Sequence, residues 1–424
     1  MSRDKGIRTP RIVLFGLFGS GNFGNDGSLE TVLSSLRRKV PGADLLCVCY
    51  DAEGIRQRYS INTTRIRIAS RAPKLLRFLD KLFLTLPGRA VDLVHAILTL
   101  HGVDMMIIPG TGILDDFSER PHQMPLNIFL WCLSARIVGT RIAYVSVGAG
   151  PINNRLSRFL MLTAARMAHY RSFRDGLSRG YLARFGIDTR HDPIMPDVVF
   201  NLPTPSISKP QEATVTVGLG VMDYHGWTGH REKTYRTYID KLADFAVYLI
   251  STGNRIRILT GQNTDEQAAL DVVRIIGERA GEQAARQLIW VPGSSLHDLM
   301  KEIALTDLVV ATRYHNIVCA LKMGRPAISL EYSGKNTAVM KAVGLEEFCG
   351  NVETFAIADL IQQFQRLKRE RIVHEAGIRA RIVEFQRALD DQDAALLALL
   401  QEKLNEGAMQ EGQAASESVK GPVP

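Results

Sequence analysis

The stretch that decides the fold is residues 311–335, A-T-R-Y-H-N-I-V-C-A-L-K-M-G-R-P-A-I-S-L-E-Y-S-G-K. A short apolar run rich in β-branched residues, Leu308–Ala311, leads into the R-Y-H turn, and residues 327–330 in the second half of the stretch form a second predicted strand. The segment 316–323 between them has the periodicity of a helix. A strand, a helix and a second strand in this order are typical of a parallel sheet. The stretch therefore predicts an α/β fold in which the turns after both strands lie at one edge.

Both turns carry groups that suit an anionic ligand. Arg313 and His315 follow the first strand, and Lys335 follows the second at the predicted start of another helix. Ligands of open parallel sheets bind at the carboxyl ends of strands, and a helix N-terminus favours an anion. Each of these residues alone is more often structural than functional, but their joint placement favours a site. The predicted site residues of the two turns are Arg313, Tyr314, His315, Ser333, Gly334 and Lys335.

Glycine turns follow three predicted strands of the N-terminal half, at residues 19–24, 109–112 and 148–151. Glycine lets backbone N–H groups approach a sugar or an anion closely. Arg174 follows a fourth strand; it either pairs with Asp175 or binds a ligand, and we favour the ligand role because the glycine turns converge on the same edge. The remaining predicted site residues are Gly21, Asn22, Gly24, Asp26, Gly110, Gly112 and Gly148.

The first glycine turn leaves a dinucleotide site open. Gly19, Gly21 and Gly24 satisfy G-x-G-x-x-G, and Asp51 follows the next predicted strand, although later than the usual spacing. A further loop, after the first strand of the C-terminal half, carries Tyr224, His225, Trp227 and His230. Its aromatic side chains fit either stacking on a sugar ring or a loop that is pinned by its own rings.

Taken together, these motifs resemble the polysaccharide pyruvyl transferase family. R-Y-H with the downstream E-Y-S-G-K resembles the family's R-x-H turn and its lysine. G-S-G-N-F-G-N-D at 19–26, V-G-A-G-P at 147–151 and F-R-D at 173–175 resemble the family's G-N-x-G-D-E, G-x-G-P and R-D elements in the same order. Asn25 and Asp26 stand where the family commonly has Asp and Glu, which leaves the role of that pair open.

The resemblance implies transfer of a pyruvyl group from phosphoenolpyruvate to two hydroxyls of a sugar, with release of phosphate. Arg313, Lys335 and Arg174 would bind the phosphate and carboxylate of this donor. His315 would transfer protons, with Arg313 beside it as the second catalytic residue. The glycine turns would lie on the acceptor side. No cofactor is expected, and no ligand spacing in the sequence suggests a metal.

Two doubly wound Rossmann-like domains facing a cleft, a GT-B-like arrangement, are the predicted architecture. The predicted boundaries are a flexible tail at 1–10, an N-terminal acceptor-side domain at 11–203, a Pro- and Ser-rich linker at 204–212, a C-terminal donor-side domain at 213–350, helices at 351–405 and a disordered tail at 406–424. The last of these follows from its low apolar content.

Composition and charge indicate the compartment of the protein and its possible macromolecular partners. The chain has 424 residues, 46% of them apolar, and a formal net charge of +8. No apolar run is long enough to cross a bilayer and no signal core opens the chain, so we expect a cytoplasmic protein. Residues 71–89 carry five basic side chains and one acidic one. This segment is either an ordinary surface helix or a contact with an anionic membrane at the inner face; no binding motif supports nucleic acid.

Two other functions stay open at this level. A glycosyltransferase that uses a nucleotide sugar would share the predicted architecture, and so would a sugar- or anion-binding protein without catalytic activity. The sequence does not identify the acceptor sugar, the hydroxyls that react, a lipid carrier on the acceptor or the oligomeric state.

Overall fold

The structure is a computed structural model that describes residues 8–71, 73, 86–117, 119–207, 209, 213–226 and 231–418. The chain divides into two compact units. The first comprises Met1–Ser20, Val32–Val198 and Ala388–Pro424, and the second comprises Gly21–Thr31 and Val199–Arg387, as far as these ranges are described.

The first unit is built on a six-stranded parallel sheet with the strand order β3-β2-β1-β4-β5-β6. Its buried strands read as continuous apolar runs, as is typical of a sheet covered on both faces. The strands are β1 Arg11–Phe15, β2 Asp44–Cys49, β3 Asn62–Arg65, β4 Met105–Pro109, β5 Arg141–Val147 and β6 Tyr170–Phe173; the helices are α1 Phe23–Lys39, α2 Ala52–Tyr59, α3 Leu86–Leu100, α4 Met124–Ile137, α5 Arg155–Arg166 and α6 Gly176–Arg184. The first turns of α1 belong to the second unit.

The second unit repeats the arrangement with a sheet of order β12-β11-β10-β7-β8-β9. Its strands are β7 Thr216–Gly220, β8 Arg255–Leu259, β9 Leu288–Trp290, β10 Leu308–Ala311, β11 Ala327–Glu331 and β12 Cys349–Asn351; its helices are α7 Arg231–Ser251, α8 Asp265–Ala280, α9 Glu282–Ala285, α10 Leu296–Ala304, α11 Tyr314–Lys322 and α12 Lys335–Ala342. The long helix α13, Ile357–Ser418, runs from this unit into the first.

Both sheets have the strand order of a doubly wound fold. Each begins at a central strand, extends to one edge, and then continues from the other side of that central strand. The direction reverses between β1 and β4 in the first sheet and between β7 and β10 in the second, and such switch points are where ligands of α/β sheets bind. The predicted pair of Rossmann-like domains is confirmed.

The boundaries of the units differ from the predicted ones. The division falls between Val198 and Val199, before the predicted linker at 204–212, of which residues 208 and 210–212 lie outside the described part. Two further segments change unit along the chain, Gly21–Thr31 and Ala388–Pro424. Hydrophobic periodicity locates helices and strands but not the unit they join, because unit membership depends on contacts between residues far apart in sequence.

Helix α13 extends beyond the predicted helical segment 351–405 and ends at Ser418. The residues past 405 are rich in Ala, Glu and Gln, which favour a helix without needing an apolar face. Disorder was predicted at 406–424 from low apolar content alone, and of this range residues 419–424 lie outside the described part. Helix propensity is the physical reason for the difference.

Gln392 of α13 is built into the core of the first unit. Its side chain is 1% exposed. The Ser146 and Ser172 hydroxyls donate to Gln392 Oε1 at 3.2 and 2.5 Å, and Gln392 Nε2 donates to Ser146 Oγ at 3.0 Å. Ser146 has a φ of +50°, in the left-handed region that non-glycine residues rarely adopt. The amide therefore satisfies two buried hydroxyls at the ends of β5 and β6.

Replacing Gln392 by leucine is expected to lower the free energy of unfolding by about 1 to 3 kcal/mol. The leucine fills a similar volume but leaves both serine hydroxyls without their amide partner. Equilibrium urea unfolding measures the change. Gln401→Leu is the matched control, because Gln401 lies exposed on the same helix. Equal stability of the two variants would show that the buried network contributes nothing.

Most of the basic segment at 71–89 lies outside the described residues, which resume at Leu86. None of the helices in the described ranges combines the length and the apolar character that crossing a bilayer requires.

Candidate functional site

The R-Y-H turn lies at the switch point of the second sheet. β10 ends at Ala311, and α11 begins at Tyr314, with Arg313 as its N-cap residue. The prediction placed the helix start at 316, so Tyr314 and His315 lie in the first helical turn rather than before it. Arg313, Tyr314 and His315 are all partly exposed, whereas Thr312 and Asn316 on either side are fully buried.

Two buried side chains anchor this turn. Tyr238 and Thr312 share a hydrogen bond between their hydroxyls at 2.9 Å. Asn336 Nδ2 donates to Thr312 O at 3.0 Å and to Ser329 Oγ at 2.8 Å. Because Asn336 lies in the first turn of α12, its amide joins the R-Y-H turn to the turn that carries Lys335. The sequence analysis missed Asn336, which has no motif of its own.

Arg313 is held by a buried carboxylate. Its Nε lies 2.9 Å from Asp265 Oδ2, and its Nη2 also bonds the Asp265 carboxylate, whose side chain is 0% exposed. Asp265 further accepts hydrogen bonds from the backbone N–H of Gly261 at 3.1 Å and of Asp223 at 3.0 Å. The paired geometry fixes the plane of the guanidinium. It also neutralises much of the Arg313 charge, so Arg313 acts as an oriented hydrogen-bond donor rather than as an isolated cation.

His315 packs against the first turn of α1. A Cβ atom added to Gly24 would lie 1.9 Å from His315 Nδ1, so only glycine leaves room for the ring in this position. The segment that carries Gly24 is bonded to the second unit through its backbone. Phe23 N donates to Gly261 O at 3.2 Å, and Asn263 N donates to Gly21 O at 3.2 Å. These contacts explain why residues 21–31 belong to the second unit.

The same loop does not have the features of a dinucleotide site. Asn22 Oδ1 accepts from Gly24 N at 3.0 Å and from Asn25 N at 3.3 Å, and Asn22 O accepts from Asp26 N at 3.4 Å. A pyrophosphate would need these N–H groups at the helix N-terminus. Asn22 is therefore a helix cap, and α1 begins directly after it at Phe23. Asp26 is buried in the first turn, where a carboxylate suits the helix dipole.

The E-Y-S-G-K turn opens α12 as predicted. Gly334 has a φ of +74° and precedes Lys335, the first residue of the helix. Glu331 accepts from Thr337 N at 2.9 Å, which closes the turn from the other side. Ser333, Gly334 and Lys335 are partly exposed. β10 and β11 pair in parallel with Ala311 opposite Ser329, so the two turns follow neighbouring strands.

Arg174 lies in the first unit and is buried, with a side chain 4% exposed. Its Nη1 lies 3.4 Å from Asp197 Oδ2 and its Nε lies 3.8 Å from Asp175 Oδ2. A Cβ atom at Gly148 would lie 2.7 Å from Arg174 Nη2, so Gly148 makes room for this guanidinium. The ion pair that the sequence left as the alternative is present. A role of Arg174 toward the donor stays a prediction.

The glycine turn after β4 bonds to strand β5 and to the glycine turn that follows β5. Gly148 N donates to Thr111 O at 2.9 Å, and Gly110 N donates to Val145 O at 2.7 Å. Gly110 and Gly112 therefore lie in the turn after β4, and Gly148 lies in the turn after β5. An acceptor role for these glycines stays a prediction.

In the described part of the aromatic loop after β7, Tyr224 packs against residues of the second unit. Tyr224 is 1% exposed, its hydroxyl donates to Glu353 Oε1 at 2.6 Å, and its ring lies 5.5 Å from that of Tyr332. Tyr224 is thus a packing residue rather than a surface for a sugar. Trp227 and His230 lie outside the described residues. Within the described ranges, no group of three or more His, Cys, Asp or Glu side chains is arranged to hold a metal ion.

Solved structures share this fold at low sequence identity. A putative UDP-N-acetylglucosamine 2-epimerase from Listeria monocytogenes aligns with a TM-score of 0.57 at 10% identity, over 87% of this chain and 91% of that one. The S. aureus MnaA–UDP structure aligns with a TM-score of 0.57 at 11% identity and the same coverage. A glycosyltransferase from Rickettsia africae aligns with a TM-score of 0.55 at 11% identity, over 94% and 99%. At these identities the likeness shows the GT-B fold alone.

The family comparison is more specific than the fold. No curated protein matches the chain. The family model described as polysaccharide pyruvyl transferase matches residues 22–334. The match begins at Asn22, the cap of α1, and ends at Gly334, one residue before Lys335. It includes the R-Y-H turn, Asp265, which holds Arg313, and Gly24, which makes room for His315. Because the match covers well over half of the chain, the protein belongs to the polysaccharide pyruvyl transferase family.

Proposed function

We propose that this protein transfers a pyruvyl group from phosphoenolpyruvate to two hydroxyls of a saccharide. The observation that carries the proposal is the joint placement of His315, the Arg313–Asp265 pair and Lys335 on two neighbouring turns of one sheet edge. Family membership supports the general class, a transferase that modifies polysaccharides. The donor and the ketal product are our proposal.

The reaction requires the chain to deliver a proton, to orient the donor carboxylate and to attract the phosphate. A sugar hydroxyl loses its proton and bonds C2 of the donor as a proton is added to C3, which turns the methylene into a methyl group. The second hydroxyl then displaces phosphate from C2, and its proton leaves with the phosphate. In our proposal His315 delivers the proton to C3, Arg313 orients the donor carboxylate through the guanidinium face that Asp265 does not occupy, and Lys335 attracts the phosphate at the N-terminus of α12.

Ligand-induced stabilisation separates this proposal from its rivals. A ligand that binds only the folded state adds about 2.7 kcal/mol to stability at a concentration of 100 times its Kd. We expect phosphoenolpyruvate to raise the melting temperature, and we expect UDP-sugars and NAD(P) to leave it unchanged. Stabilisation by a UDP-sugar alone would favour a glycosyltransferase. Stabilisation by phosphoenolpyruvate without phosphate release in the presence of any saccharide would favour a binding protein.

Gly24→Ala tests the placement of His315 without changing its chemistry. The new methyl group must push the imidazole away, and a displacement of about 1 Å can cost roughly 10²-fold in turnover. We therefore expect kcat for pyruvyl transfer to fall by about this factor. Gly180→Ala is the matched control, because Gly180 is also helical and no atom lies within 4 Å of its added Cβ. If Gly24→Ala keeps the turnover of Gly180→Ala, the imidazole position does not matter for the reaction.

A further inference from the structure

Pyruvyl transfer moves protons in both directions. One group must donate a proton to C3 of the donor while another accepts the proton of the attacking hydroxyl. His315 fills only the first role. The second unit contains a further imidazole at the same switch point, in the loop after β7, and this imidazole is not used by the function proposed above.

His225 is held in a defined tautomer. Its Nε2 lies 2.7 Å from Asp223 Oδ1. Because a carboxylate accepts the proton of Nε2–H, the neutral ring carries its lone pair on Nδ1, the form that a general base needs. In the part of the chain that the structure describes, no hydrogen bond reaches Nδ1. The ring also stacks on Tyr235 at 4.8 Å and 12°, and the Tyr235 hydroxyl donates to Asp271 Oδ2 at 2.7 Å.

The hydrogen-bonded pair His225 and Asp223, here called the dyad, is connected to both turns of the proposed donor site. The backbone N–H of Asp223 donates to Asp265 Oδ1 at 3.0 Å, and Asp265 is the carboxylate that holds Arg313. Tyr224, between the two dyad residues, packs on Tyr332 of the turn that carries Lys335. Strand β7 pairs directly with β10, so the loop and the R-Y-H turn follow neighbouring strands.

The two dyad side chains are partly exposed, whereas the residue between them is buried. Tyr224 is buried, whereas the side chains of Asp223 and His225 are 32% and 29% exposed. A group that accepts a proton from a bound sugar must be reachable in this way, and a loop pinned through Tyr224 keeps the imidazole in place.

We propose that His225, oriented by Asp223, accepts the proton of the attacking sugar hydroxyl. The O–H bond breaks as the oxygen bonds C2 of phosphoenolpyruvate, and the proton moves to His225 Nδ1 while His315 gives its own proton to C3. His225 then returns its proton to solvent, from which His315 is recharged. This inference rests on the proposed function and assigns it a second catalytic residue.

The test uses the full chain, phosphoenolpyruvate and a panel of p-nitrophenyl hexosides, with phosphate release as the readout. We expect His225→Gln to lower kcat about 10²-fold and Asp223→Asn to lower it about tenfold. The KM for phosphoenolpyruvate should stay within about twofold of the wild type, since His225 does not touch the donor. Added imidazole should restore part of the turnover of His225→Ala. His374→Gln is the control, because His374 also pairs with a carboxylate of the second unit, Glu370, but lies on α13.

Each outcome decides something. A wild-type chain that releases no phosphate with any hexoside overturns the proposed function and this inference with it. An active wild type with His225→Gln at the level of His374→Gln overturns the inference alone. The inference is also overturned if melting temperature and turnover of His225→Ala fall together and imidazole restores neither. That result would mean that His225 and Asp223 only hold the loop in place.

Discussion

His315→Gln is expected to lower kcat for pyruvyl transfer by a factor of roughly 10² to 10⁴. An amide keeps a hydrogen bond but cannot deliver a proton near neutral pH. The affinity for phosphoenolpyruvate should change far less, because in the proposed site Arg313 and Lys335 would still hold the two anionic groups. The measurement is kcat together with donor affinity, obtained from the melting-temperature rise as phosphoenolpyruvate is added.

Comparison with His315→Ala distinguishes a catalytic role of His315 from a structural one. Gly24 leaves a space shaped by the imidazole, so alanine at 315 creates a gap against α1 that glutamine partly fills. If His315 were structural, glutamine would recover much of the activity that alanine loses, and turnover would follow melting temperature in both variants. Equal loss of turnover in both variants, with melting temperature retained in His315→Gln, is the result expected for a proton donor.

Arg313→Gln is expected to lower the free energy of unfolding by about 3 to 5 kcal/mol and to abolish turnover. The Asp265 carboxylate is fully buried, and removal of its cation leaves a charge that water cannot reach. Arg313→Lys should recover part of the stability but not the turnover. An ammonium supplies the charge without the planar pair of N–H groups that bonds Asp265 and that, in our proposal, orients the donor.

Arg257 offers a matched control in the same unit. Its Nε and Nη2 lie 2.9 and 2.7 Å from Glu302 Oε2, and both side chains are 14% exposed. Arg257→Gln should therefore also reduce stability, while kcat measured well below the melting temperature stays at the wild-type value. If Arg313→Lys matched Arg257→Gln in turnover, the orientation of Arg313 would be irrelevant to the reaction.

The sequence predicts well what depends on neighbours along the chain. β-branched runs located strands such as Leu308–Ala311, and the polar turns after them were placed at the correct edge because parallel strands end together. The sequence misses what depends on long-range packing. Asp265 and Asn336 contact the R-Y-H turn although they lie 48 and 24 residues away in sequence. Neither has a motif of its own, so only the strand order shows that they lie beside this turn.

The glycine loop shows the limit of motif spacing. G-x-G-x-x-G specifies where glycines stand but not what they approach, and here Gly24 approaches an imidazole rather than a pyrophosphate. Asn22 was predicted as a site residue because it lies in the glycine turn, and in the structure its amide caps α1. A capping asparagine and a ligand-binding asparagine are indistinguishable in sequence when both precede a helix.

The path of α13 bears on how the protein forms during synthesis. Domains generally fold as units while the chain emerges, N-terminal parts first. Here the first unit needs residues from its last stretch, since Gln392 supplies the amide that Ser146 and Ser172 bond. Its sheet is translated by Phe173, but its buried hydroxyls stay without this partner until more than two hundred further residues have been added. The unit that starts first is therefore completed last, and a chain that ends before Gln392 has its first sheet but lacks the amide that bonds the hydroxyls of Ser146 and Ser172.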